Sequence, residues 1–84
     1  MYNLLRSKGY TQDQNVDGVL NFLNSKGIHV DLNTRYDTSE ETIKCVGYSA
    51  SILFDSGTYI EPEEVFYTRE DALWHAIYLI QDYF

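Results

Sequence analysis

The stretch from Phe66 to Phe84, F-Y-T-R-E-D-A-L-W-H-A-I-Y-L-I-Q-D-Y-F, carries both a start signal and the apolar face of an amphipathic helix. The Thr68 hydroxyl can accept an orphan N–H at a helix start. Asp71 stands at the third helical position, an Asp version of the capping box. At about 100° per residue, Leu79, Ala72, Tyr83, Ala76, Ile80, Leu73, Phe84 and Ile77 fall on one broad apolar arc. Gln81, Trp74, Tyr78, Asp82 and His75 fall on the other. This helix is the platform on which the rest of the chain packs.

The 84 residues make one domain, which buries roughly 60–65% of its unfolded surface in a thin core. Self-association stabilises chains of this size. Apolar residues are 44% of the sequence, too many for a disordered chain, and eight tyrosines dominate the aromatics. Tyrosine tolerates half-exposed positions because one end of its ring is polar.

Residues 1–10 show no strong period and read as either a short turn of helix or a loose arm leaning on the core. Thr11-Gln12-Asp13-Gln14 is a second capping box. After it, Val16, Val19, Leu20 and Leu23 recur at helical spacing, and Lys26-Gly27-Ile28 is a stop signal. Ile28-His29-Val30-Asp31-Leu32-Asn33 alternates with period two, which predicts a strand with Ile28, Val30 and Leu32 inward and one wet face. Strands with one wet face belong to antiparallel sheets. Arg35 to Glu41 is polar and reads as a loop.

A second strand is expected from Thr42 to Phe54, with Val46, Tyr48, Ala50, Ile52 and Phe54 inward. Ile43 and Cys45 stand in the opposite phase, which predicts a bulge near Gly47. Asp55-Ser56-Gly57 is a hairpin turn. Thr58-Tyr59-Ile60 starts a return strand that Pro62 interrupts, because proline cannot donate to a ladder. Val65-Phe66-Tyr67 is extended again. The expected architecture is α+β, a helix–three-stranded antiparallel sheet–helix order (αβββα) with two helices on one face of the sheet. Residues 1–10 form an N-terminal arm, and residues 11–84 form the single domain.

Two segments carry a resemblance: Thr11-Gln12-Asp13-Gln14 with its helix running to Ser25-Lys26-Gly27-Ile28-His29-Val30, and Phe66-Tyr67-Thr68-Arg69-Glu70-Asp71-Ala72-Leu73 with its apolar helix. Together they resemble a family of small uncharacterised proteins of gut Bacteroidetes bacteria and their phages. Trp74-His75 and the Tyr83-Phe84 end depart from that pattern, where smaller or charged residues are usual. The resemblance implies a phage or prophage origin and carries no catalytic residues. The helix–three strands–helix order also resembles the double-stranded RNA-binding domain, which uses lysines at the start of its last helix to hold phosphates. Here that position reads Thr68-Arg69-Glu70-Asp71, and two carboxylates in the first turn repel a phosphate backbone.

Charge points the same way. The net charge is −7, and residues 36–84 hold ten acids against two bases, whereas residues 1–35 hold three acids against four bases. The expected consequence is no direct nucleic-acid binding and attraction to a basic protein surface. No apolar run approaches a membrane span, so no membrane contact is expected. Met1-Tyr2-Asn3-Leu4-Leu5-Arg6 lacks a signal-peptide core, and the single Cys45 forms no intrachain disulfide. The expected location is cytoplasmic.

For chemistry, His29, His75 and Cys45 are too scattered for a zinc site, which needs three or four ligands with local pairing. No metal and no cofactor are expected. His29 and His75 read as exposed polar positions, and Cys45 as a small half-buried side chain. Glu63, Glu64, Glu70 and Asp71 form the densest acidic group. Acid–base work by such a group needs a pocket that separates its pKa values, and a loop plus a first helical turn read as a solvated rim. The chain is therefore not expected to be an enzyme.

Trp74 and Tyr78, four residues apart, share a helical stripe outside the apolar arc. Either a second packing element such as residues 1–10 covers them, or they anchor a partner chain or a second copy in a homodimer. The expected function is a small non-catalytic protein-binding module, phage- or prophage-encoded, with Trp74 and Tyr78 as anchors and the acidic rim steering. The alternative is an anti-defence inhibitor or acidic nucleic-acid mimic that blocks a host nucleic-acid-binding protein.

Overall fold

A computed structural model describes residues 2–11, 14–39 and 41–84. The elements in order are α1 (Tyr2–Ser7), α2 (Val16–Ser25), β1 (Ile28–Asp37), β2 (Lys44–Phe54), β3 (Tyr59–Ile60), α3 (Arg69–Ile80) and a 3₁₀ turn (Gln81–Tyr83). The strands form one antiparallel sheet in the order β1-β2-β3. The fold is α+β, with the sheet placed between α2 and α3 in the chain. Both helices pack on the sheet, and their buried side chains share one core with Val30, Ala50 and Ile52. Leu23, Ile52, Leu73 and Ile77 are fully buried there. Each stabilises the fold by about 1.5–3 kcal/mol relative to an exposed position.

Helix α2 starts later than the Thr11 box implies. Asn15 is its cap, and its side-chain oxygen accepts the Gly18 N–H at 2.6 Å. Thr11 lies outside the helix, and Gln12 and Asp13 of that box lie outside the described residues. Asn is at least as strong a cap as Thr, and Asp17 places the negative charge in the first turn. The stop at Lys26-Gly27 is present, with the Gly27 N–H donating to the Asn24 carbonyl at 3.0 Å.

Strand β1 runs four residues beyond its alternating segment, through Asp37, so the loop expected from Arg35 begins later. Residues 33–37 are exposed on both faces, where β1 and β2 continue as a ribbon past the helices. A wet ribbon leaves no hydrophobic period to read. The bulge sits where the phase change predicts. Arg35 pairs with Gly47 and Tyr36 with Cys45, so Val46 is the extra residue. Val46 is consequently exposed instead of inward. Gly47 has φ 148°, and a side chain there would overlap the Phe66 carbonyl and the Val65 methyl.

The Phe54–Thr58 turn closes as expected. The Gly57 N–H donates to the Phe54 carbonyl at 2.8 Å, and the Phe54 N–H to the Thr58 carbonyl at 2.9 Å. Gly57 has φ 93°, a region that penalises a Cβ. After Pro62 the return segment rejoins β2 in a single bridge, Tyr48 with Phe66.

Helix α3 is capped by Thr68, whose hydroxyl accepts the Asp71 N–H at 3.0 Å. Its regular part ends at Ile80. The apolar arc is correspondingly narrower than the sequence implies: Ala72, Leu73, Ala76, Ile77 and Ile80 are buried, while Leu79 and Tyr83 are exposed. The 3₁₀ turn rotates Tyr83 off the arc, its ring lying 4.9 Å from that of Phe54.

Candidate functional site

The outward side of α3 divides into a covered half and an open half. In the first half, Trp74 is partly buried. Its indole N–H donates to Glu70 Oε1 at 3.2 Å, one turn earlier. Its ring meets Tyr2 of α1 edge-on at 4.7 Å and 84°. Tyr2 stacks with Tyr10 at 6.4 Å, Tyr10 meets Phe22 of α2 at 5.4 Å, and Phe22 meets Phe84 at 6.3 Å. This run of rings ties α1 and α2 to the middle of α3 at Trp74 and to Phe84, past the 3₁₀ turn. Leu5 and Tyr10, from the segment read as an arm, are buried in the core. Of the two alternatives for Trp74, coverage by residues 1–10 is the one observed. Burial, then the Glu70 carboxylate, then Tyr10 push the Tyr2 hydroxyl above the usual tyrosine range.

In the second half, Tyr78 is 63% exposed and Leu79 is 38% exposed on the same rigid helix. Tyr67, just before the cap, is exposed as well. The Tyr78 carbonyl accepts from Gln81 Nε2 at 3.1 Å, so its backbone is held while its ring is open.

The four carboxylates of the expected rim do not act as one group. Glu64 Oε2 lies 3.5 Å from His75 Nε2, and the His75 ring packs on Phe66 at 5.0 Å. His75 is therefore half-buried and not a fully wet position. Glu63 turns instead to a hollow of about 410 Å³ lined with Arg35, Glu61 and Pro62. Glu70 holds Trp74, and Asp71 is exposed on the first turn of α3.

His29 is exposed but tethered: its Nδ1 lies 2.7 Å from Asn24 Oδ1 and its Nε2 2.7 Å from Asp55 Oδ1. It joins the end of α2 to the β2–β3 turn. Cys45 is exposed and not half-buried, because it pairs with Tyr36 in the ribbon beyond the helices, where both faces of the strands are wet. Among the described residues, no group of three or more His, Cys, Asp or Glu side chains is arranged to hold a metal ion. No helix among them is long and apolar enough to cross a membrane.

Sequence reasoning missed Tyr2 and Tyr10, which decide how much of α3 is left open. Their signal was present as two tyrosines flanking Leu4-Leu5, too short a run to show a period. No protein-family model matches the chain, and neither a curated protein nor a solved structure matches it.

Proposed function

We propose that the chain is a small non-catalytic binding module that docks on a basic protein surface through the open half of α3. Tyr78 is the aromatic anchor and Leu79 extends the contact. One observation carries this reading: Ile77 and Ile80 are 0% exposed while Tyr78, between them, is 63% exposed. A helix fixed by a full core presents an aromatic side chain with few rotamers to lose, which favours its use as an interface anchor. Charge gives the kind of partner. Residues 69–84 contain Glu70, Asp71 and Asp82 against the single base Arg69, and Glu64 adds to the same side through its contact with His75. Such a surface attracts bases and speeds encounter. Trp74 supports the helix and is not the anchor. A phage or prophage origin fits this role and rests on the family resemblance.

A second reading, an acidic nucleic-acid mimic that blocks a host nucleic-acid-binding protein, draws on the ten acids against two bases of residues 36–84. The two readings separate in one experiment. Immobilised wild-type, Tyr78→Ala and Trp74→Phe proteins are exposed to the same bacterial lysate at low and at high salt. The docking reading expects a basic protein retained by wild type and by Trp74→Phe, lost on Tyr78→Ala, with modest salt dependence. Retention by Tyr78→Ala that vanishes steeply with salt identifies the mimic instead.

A further inference from the structure

We propose that β1 is a self-pairing edge: two copies of the chain join antiparallel along residues 29–37 about a two-fold axis at Asn33, merging their sheets. This surface is separate from α3 and does not depend on the reading above. The strand order leaves one side of β1 open, and among the described residues no backbone hydrogen bond reaches that side. The direction of its peptide groups follows from the ladder. Tyr48 exchanges both backbone bonds with Phe66 on the β3 side of β2, so alternation turns Ser49 and Ser51 toward β1. Their partners Asn33 and Asp31 bond inward, which leaves Val30, Leu32, Thr34 and Tyr36 with N–H and C=O groups aimed outward. An axis at Asn33 sets Leu32 opposite Thr34 and Val30 opposite Tyr36, so outward groups meet outward groups.

Charge selects this register among its neighbours. Asp31 of each copy falls opposite Arg35 of the other, twice by symmetry, on the polar face of the sheet. An axis at Thr34 would set Asp31 against Asp37. An axis at Leu32 would set Arg35 against His29. Asp31 and Arg35 are both exposed, and neither forms an ion pair among the described residues. On the other face, Tyr36, exposed at 59%, comes to lie over Val30 of the second copy and closes the margin of the core. Charges on an edge strand ordinarily discourage pairing. Opposite charges placed evenly about a centre admit a copy of the same strand while opposing others.

Sedimentation of the intact chain over a concentration series tests this. Wild type is expected to approach twice its 9.8 kDa mass. Asp31→Arg and Arg35→Asp each create two like-charge pairs and are expected to weaken association by about tenfold or more. The combined swap, Asp31→Arg with Arg35→Asp, is expected to restore it. Thr34→Pro, which deletes an outward N–H at an exposed position, is expected to abolish it, with far-UV circular dichroism confirming that each variant is folded. A wild type that stays monomeric throughout, a single reversal that leaves the dimer intact, or a swap that fails to restore it overturns the proposal.

Discussion

Trp74 and Tyr78 stand one turn apart on the same side of α3, yet they face different surroundings. Trp74 has an acceptor one turn back and the ring of Tyr2 across its edge. Among the described residues Tyr78 has neither, and it is 63% exposed. One ring of α1, Tyr2, covers Trp74 and leaves Tyr78 open. Sequence spacing makes the two aromatics equivalent. The difference comes from a neighbour about seventy positions away in the chain, which separates a structural aromatic from a presentable one.

The largest expected effect tests the covered half. Trp74→Ala removes the edge contact with Tyr2 and leaves a gap between α1 and α3. It is expected to cost about 2 kcal/mol in chemical denaturation, below the figure for a fully buried Trp because the ring is only partly buried. A change near zero would mean that α1 does not hold the helix, and the contrast with Tyr78 would vanish. Next, Thr68→Ala deletes the acceptor for the Asp71 N–H and is expected to cost about 1 kcal/mol, read as a lower thermal midpoint. Because the cap lies at the opposite end of α3 from Tyr78, partner capture through Tyr78 is expected to survive it.

A smaller effect is set by pH. Burial first, and Glu70 second, hold the Tyr2 hydroxyl above the ordinary tyrosine range. The folded state thus binds that proton more tightly than the unfolded state does. The associated stability is fully present below the ordinary tyrosine pKa and is lost as pH rises through the raised one. Wild type is therefore expected to lose more stability on going to strongly alkaline pH than Tyr2→Phe. Equal losses would remove Tyr2 from the covered site. The smallest expected effect on stability is that of Tyr78→Ala, within about 0.5 kcal/mol of wild type, as for other exposed positions.

Much of the fold was legible because its signals are local. The Thr68 cap needs only the residues from Thr68 to Asp71, and the β2–β3 turn needs only the glycine at position 57. The bulge showed in the phase of Cys45 against Tyr48 because a strand's period of two makes any insertion visible. Three features were not legible. Residues 34–37 extend β1 by pairing with β2 beyond the helices, so neither face carries an apolar pattern. Asn15 caps the helix where Thr11 was expected, because both side chains can accept a first-turn N–H and sequence alone does not rank the two starts. The burial of Trp74 depends on where α1 docks, which is a tertiary matter. For the candidate site, the sequence marked one helix and one pair of aromatics and treated them alike; the structure gives them different surroundings, Trp74 partly buried and Tyr78 exposed. Likewise the carboxylates at 63 and 64 are adjacent in the chain but diverge, one toward Arg35 and the other toward His75.

The most direct test compares Tyr78→Ala with wild type in two paired readouts, unfolding free energy and retention of a basic partner from lysate. The account predicts an unfolding free energy within about 0.5 kcal/mol of wild type together with loss of the partner. A Tyr78→Ala protein that keeps the partner, or loses it only by unfolding, contradicts the claim that the open half of α3 is the docking surface.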